Sequence, residues 1–185
     1  KKAEVDVALK TSPLDATNCD EIIKFLEEGD IKMIFTTGLE VTHLLPKRRP
    51  MITVRDAEHS AAALLRRFSG LDLVMLRAEL GVVVRQRESP TTGPEKTLII
   101  PARRAGMQGW TYRGKPSLIG AADAFFGGFA AARSHKLSVE QSLLWGYGAG
   151  QLCVLEPGSQ LEGDTLELMA ILKAELGAVE NLLHS

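Results

Sequence analysis

The residues best suited to chemistry lie within residues 117–129, where a polar loop leads into a small-residue turn and then into an apolar stretch. Gly120, Ala121 and Ala122 form the turn, and Asp123 follows within the first turn of a predicted helix. The first amides of a helix lack intrahelical partners and lie at the positive end of its dipole. The segment therefore predicts a phosphate or oxyanion site. Asp123 could accept the proton of a hydroxyl that attacks phosphorus.

The same residues also have a purely structural interpretation. An aspartate in a first helical turn interacts favourably with the helix dipole without any catalytic role. Gly127 and Gly128 could serve only to bring two helices close together. Taken alone, the residue types leave both interpretations open, because glycine-rich turns are weak motifs.

Alternating strands and helices position this segment. Alternating or continuous apolar runs predict strands, and we expect them at Val5–Leu9, Met33–Phe35, Ile52–Val54, Leu71–Leu76, Gly81–Val84 and Thr97–Ile100. The short spacing between the fourth and fifth of these runs predicts a hairpin. Residues 101–116 contain Gly, Pro and Arg without an apolar period, which predicts a long loop. The alternation with helices favours a parallel or mixed sheet covered by helices.

Helices are predicted from apolar faces, from Ala- and Leu-rich runs and from capping pairs at their N-termini. We expect them from residue 18 to Gly29, over 39–45, over 57–68, from Gly120 to about Arg133, from Ser138 and from Asp164. Three of these starts carry a capping-box pattern, in which two side chains satisfy orphan amides reciprocally: Asn18 with Glu21, Ser138 with Gln141, and Asp164 with Glu167.

The segment Gly120–Asp123, followed by Ala124-Phe125 and Gly127-Gly128, resembles the G-A-G-D signature of the ribokinase-like (PfkB) carbohydrate and nucleoside kinases. The resemblance implies an α/β three-layer sandwich with a central, mostly parallel sheet. Residues 1–185 would form a single half-domain, the C-terminal, nucleotide-binding half of that fold. It also implies ATP-dependent phosphoryl transfer to a sugar or nucleoside hydroxyl, with ATP and Mg²⁺ as cofactors.

Site residues follow from the resemblance position by position. Asp123 corresponds to the catalytic base, and Gly120, Ala121 and Ala122 correspond to the anion hole. Thr37 to Glu40 is similar to the family's N-x-x-E motif, which implies that Glu40 acts in magnesium binding.

Two glycines are implied at the nucleotide. Gly81 ends a stretch similar to the hairpin that borders the nucleotide, and Gly158 lies in a loop similar to that beside the adenine pocket.

Several positions depart from the family pattern. The middle glycine of the signature is Ala122, the asparagine of N-x-x-E is Thr37, and the nucleotide-side threonine and glycine are Leu76 and Ala78. Ser117 replaces an acidic residue. Each positioned donor is typically worth about 3 kcal/mol of barrier. These changes favour the alternative that the chain is a catalytically inactive, structural subunit of a larger assembly, such as a ribonucleoprotein.

Composition limits the remaining functions. With 22 basic and 23 acidic residues the chain has no global field that would attract nucleic acid, although basic clusters at 47–49, 66–67 and 103–104 could form local patches. Its longest apolar stretch is too short to cross a bilayer, so we expect no membrane role. Cys19 and Cys153 show no metal or redox spacing, which favours a reducing intracellular compartment. We expect another polypeptide to supply or cover the preceding half.

Overall fold

Strands and helices are found in residues 7–11, 18–45, 53–78, 81–87, 95–101 and 120–155, which are the residues that the computed structural model describes. The chain divides into two compact units, residues 1–102 and residues 103–185. Among the described residues, the first unit contains the sheet and three helices, and the second contains two helices.

Five strands of the first unit form one mixed sheet in the order β1-β2-β3-β4-β5. The strands are β1 (Val7–Lys10), β2 (Ile31–Thr37), β3 (Leu73–Ala78), β4 (Gly81–Arg87) and β5 (Glu95–Pro101). The first three strands are parallel, and β4 and β5 continue the sheet in antiparallel pairs. This confirms the predicted α/β sheet and the predicted hairpin.

Both faces of the sheet carry buried apolar side chains, as is usual for strands that are buried on both faces. On one face, Ile34, Val74 and Leu76 join a core cluster with residues of α1 (Cys19–Glu28), α2 (Val41–Leu44) and α3 (Val54–Arg67). On the other face the strand register aligns four buried side chains across the sheet: Phe35, Met75, Val84 and Leu98.

Two helix starts in the first unit differ from the predictions. Asn18 has helical backbone angles and makes no side-chain capping bond, so the predicted capping box with Glu21 is wrong. A strand through Val54 is also wrong, because α3 begins there. Thr53 caps α3 in a reciprocal box with Asp56, and the hydroxyl of Thr53 accepts from the Asp56 amide at 3.1 Å.

The second unit contains α4 (Ala121–Ser134) and α5 (Val139–Leu155). The predicted capping box of α5 is confirmed, because the Gln141 amide donates to Ser138 Oγ and the Ser138 amide donates to Gln141 Oε1, both at 3.1 Å. The helix predicted from Asp164 and the loop predicted at 101–116, apart from Pro101, lie outside the described residues. None of the helices that the structure describes is long and apolar enough to cross a membrane.

The C-terminus of α4 closes with a left-handed residue. Lys136 has φ 61°, its amide donates to the Arg133 carbonyl at 2.8 Å, and the Leu137 amide donates to the Ala132 carbonyl at 3.3 Å. This pair of bonds is the Schellman arrangement, in which the left-handed position is usually glycine.

Glycines bring α4 and α5 into close contact. A Cβ added to Gly128 would lie 2.8 Å from Ala149 Cβ and 2.9 Å from the Trp145 carbonyl oxygen. One added to Gly146 would lie 2.7 Å from the Phe125 carbonyl oxygen. The two helices are joined by a short connection, as expected for antiparallel neighbours, and only glycine allows this separation at these points.

Candidate functional site

The predicted anion-binding turn lies at the start of α4. Gly120 occupies the N-cap position with φ 80°, a left-handed conformation that favours glycine. The first intrahelical bond is donated by the Ala124 amide to the Gly120 carbonyl at 2.8 Å. Asp123 lies in the first turn, and its side chain is exposed. The amides of residues 120–123 therefore precede the first intrahelical donor, which is the position at which helices bind anions.

The substitution at Ala122 does not disturb this backbone. Ala122 lies inside α4, and among the residues described the only non-glycine with positive φ is Lys136. The left-handed angle that begins the turn belongs to Gly120, so residue 122 does not need glycine for its conformation. What distinguishes Ala122 from the family's glycine is its methyl group alone.

Helix α5 packs against the residues of this turn. A Cβ added to Gly150 would lie 3.2 Å from the Ala121 carbonyl oxygen and 3.4 Å from Phe125 Cβ, so the two backbones are close here. Burial raises the pKa of the Cys153 thiol, and the carboxylate of Asp123 raises it further. Cys153 is therefore a protonated core side chain at neutral pH and not a nucleophile.

Glu40 lies at the N-cap of α2, directly after the turn that follows β2. Its side chain is buried, and one carboxylate oxygen, Oε2, accepts three hydrogen bonds. The donors are the Thr11 hydroxyl at 2.9 Å, the Thr37 amide at 3.0 Å and the Thr36 hydroxyl at 3.4 Å. All three lie at the carboxyl ends of β1 and β2, the edge at which open α/β sheets bind ligands.

This environment bears on the magnesium role that the resemblance implies for Glu40. Magnesium in kinase sites is commonly held by one or two carboxylates together with substrate phosphates. Three protein donors already point at Oε2, and a cation at that oxygen would have to displace them. Direct coordination through Oε2 therefore does not fit the residues present.

The predicted nucleotide residues are distributed between the two units. Gly81 begins β4 with φ 142°, opposite Ala78 of β3, so it lies at the same sheet edge as Glu40. Leu76 is fully buried in the core cluster, where it packs with helices and cannot contact a ligand. Gly158 lies outside the described residues. The turn at Gly120 belongs to the second unit.

Sequence reasoning missed Thr11 and Thr36 as partners of Glu40. Their types gave only a weak signal, since a threonine at the end of a strand is common. The contact depends on the parallel pairing of β1 with β2, which brings residues far apart in the chain to one edge.

The architecture is that of the ribokinase-like sugar kinases. Ribokinase from Arabidopsis thaliana, in complex with ribose and ATP, superposes with a TM-score of 0.69 at 20% identity over 94% of this chain and 49% of its own. Ribokinase from Thermotoga maritima has a TM-score of 0.65 at 19% identity, and the match covers 91% of this chain and 49% of the ribokinase. Phosphofructokinase-2 from Escherichia coli, in complex with potassium, has a TM-score of 0.61 at 16% identity, and the match covers 83% of this chain and 44% of that enzyme.

The predicted resemblance is thus confirmed at the level of the fold. This chain has a ribokinase-like α/β fold and spans about half the length of the solved structures it matches, consistent with a C-terminal half. No protein-family model matches the sequence, and no curated protein matches it.

Proposed function

We propose that this chain is the nucleotide-binding half of an ATP-dependent kinase that phosphorylates a carbohydrate or nucleoside hydroxyl. The observation that carries the proposal is the start of α4, where left-handed Gly120 precedes first-turn amides and an exposed Asp123. Solved structures with this fold include a ribokinase bound to ribose and ATP. Since the chain spans about half of such structures, the remaining sugar-binding groups come from another segment or polypeptide.

The chemistry assigned to this turn is phosphoryl transfer. The acceptor hydroxyl oxygen attacks the γ-phosphorus of ATP, its proton passes to the Asp123 carboxylate, and the bond to the β-phosphate oxygen breaks to release ADP. Negative charge on the phosphoryl oxygens faces the amides at Gly120, Ala121 and Ala122 and the positive end of the α4 dipole. Magnesium, when bound with ATP, neutralises phosphate charge.

The test of this proposal is Asp123→Asn in the intact protein or assembly, with ADP formation measured over a panel of sugars and nucleosides. We expect phosphoryl transfer to fall by about 10² to 10⁴-fold, because a positioned base contributes that much, while Mg-ATP affinity changes little.

Asp20→Asn is the matched control, since Asp20 is an exposed aspartate in the first turn of α1. It should leave the rate unchanged. Equal rates for Asp123→Asn and the unmodified protein would remove Asp123 from the catalytic role.

A second candidate is a catalytically inactive subunit that stabilises a larger assembly. Two observations favour it: Leu76 is buried where the family has a nucleotide-side threonine, and the Oε2 of Glu40 is occupied by protein donors. This candidate predicts no ADP formation by the intact assembly with any acceptor, and unchanged assembly in Asp123→Asn. Acceptor-dependent ADP formation that Asp123→Asn abolishes would exclude it.

A further inference from the structure

The hydrogen bonds of Glu40 connect three elements of the first unit, one of which, β1, is remote in the chain. Thr11 follows the edge strand β1, Thr36 and Thr37 end β2, and Glu40 itself begins α2. All three donors meet at the same atom, Oε2. One buried carboxylate oxygen therefore links a strand at the edge of the sheet to the turn that follows its neighbour.

The hydrogen bonds to Glu40 Oε2 supplement a short ladder of backbone pairing between β1 and β2. Strand β1 has four residues, and its pairing with β2 is interrupted by an irregularity between Val7 and Ala8. Beyond the strand, the Thr11 amide still donates to the Phe35 carbonyl at 3.0 Å. The Thr11 hydroxyl carries one proton and lies closer to Glu40 Oε2, at 2.9 Å, than to the Phe35 carbonyl, at 3.4 Å. The carboxylate thus takes the stronger of the two available bonds.

Burial makes this arrangement costly to disrupt. Thr11, Thr36 and Glu40 are 1%, 0% and 6% exposed, so water cannot readily replace a lost partner. Hydrogen bonds to a charged acceptor are stronger than neutral ones, and an unsatisfied buried group carries the full desolvation penalty.

We infer that Glu40 ties β1, β2 and α2 together at the carboxyl edge of the sheet, and that its Oε2, held by these three donors, does not ligate magnesium. This role is independent of the proposed function, because it holds whether or not the chain transfers a phosphoryl group. It replaces the ligand role that the resemblance implies with one that the observed donors explain.

A double-mutant cycle between Glu40→Gln and Thr11→Val tests the inference by urea unfolding of the whole protein, in EDTA and again in Mg²⁺. We expect each single change to raise the unfolding equilibrium constant about ten-fold to a hundred-fold in EDTA, since each removes a charge-assisted buried bond. The double variant should be far less destabilised than the sum of the two. Magnesium should leave these differences unchanged.

Hydrogen exchange supplies a second measurement, which also serves if Glu40→Gln fails to fold. Thr11→Val should speed exchange of the Thr37 amide, whereas Thr11→Ser, which keeps the hydroxyl, should not. Glu21→Gln, at an exposed position of α1, is the control and should change neither measurement. Three outcomes would each overturn the inference. The first is additive effects of the two changes on the free energy of unfolding, and the second is equal exchange of the Thr37 amide in Thr11→Val and Thr11→Ser. The third is a loss of stability in Glu40→Gln that appears only with Mg²⁺.

Discussion

At the scale of single residues, the clearest local cost is the left-handed backbone of Lys136. A side chain in this conformation brings Cβ close to the following carbonyl oxygen, at a cost of roughly 1–2 kcal/mol. The Schellman bonds from Lys136 and Leu137 hold it there nonetheless.

Replacing Lys136 with glycine should therefore stabilise the protein by about 1 kcal/mol, since glycine adopts this angle without strain. The free energy of unfolding in urea measures the effect. Lys136→Ala is the control, because it removes the long side chain but keeps Cβ, and it should give no gain. Equal stabilisation by alanine and glycine would show that the backbone angle is not the cause.

Capping shows how far residue patterns predict local structure. The same spacing correctly predicted the box of Ser138 and Gln141 and wrongly predicted one at Asn18. The pattern records which side chains could cap, whereas the bond also needs an extended N-cap backbone, as at Thr53, and Asn18 is helical. The run Ile52–Val54 predicts a strand because β-branched residues favour strands, whereas the spacing of Thr53 and Asp56 indicates the helix N-terminus that forms there.

At the scale of elements, the start of α4 depends on how closely α5 approaches it. Gly128 and Gly146 let the two backbones meet, and Gly150 lies against the Ala121 carbonyl at the turn that the proposed function uses. Gly127, by contrast, is exposed, and a Cβ added there would meet none of the described residues outside its own helix within 4 Å.

Substitution by alanine at the neighbouring residues Gly127 and Gly128 should therefore change stability in opposite directions. Gly127→Ala should stabilise the protein by about 0.5–1 kcal/mol, because alanine is the better helix former. Gly128→Ala should destabilise it by about 1–3 kcal/mol, because its methyl would overlap Ala149 and the Trp145 carbonyl. Thermal and urea unfolding of both variants measure the difference. A gain in stability from Gly128→Ala would contradict the close packing of α4 and α5.

Apolar patterning predicted most elements because burial dictates it: continuous apolar runs predicted β2, β3 and β4, and an apolar helical face predicted α1. Periodicity does not predict which distant segments of the chain come into contact. The group around Glu40 depends on strand pairing, and nothing in the spacing of Thr11, Thr36 and Glu40 indicated that they meet.

At the scale of the whole molecule, the affinity for nucleotide indicates whether this chain contains a complete nucleotide site or only half of one. Leu76 is buried, and Ala122 adds a methyl where phosphate would approach. Losing two or three contacts at about 1–1.5 kcal/mol each weakens binding by roughly one to three orders of magnitude. We expect this chain by itself to bind Mg-ATP only at millimolar concentrations or not at all. Calorimetry measures the affinity, and sizing establishes whether the chain associates. Micromolar binding by a monomer would contradict this expectation.

The order of the strands across the sheet has a consequence for how the chain acquires its structure. Each strand pairs with the next one in sequence, so no segment must be threaded between two others. The closing of β3 on β4 joins residues almost adjacent in the chain, whereas β2 and β3 are separated by α2 and α3. Loop-closure entropy is therefore small for the hairpin and larger for the parallel pairs. The sheet can grow outward from β3–β4, and the edge strand β1 need join only after β2 is in place.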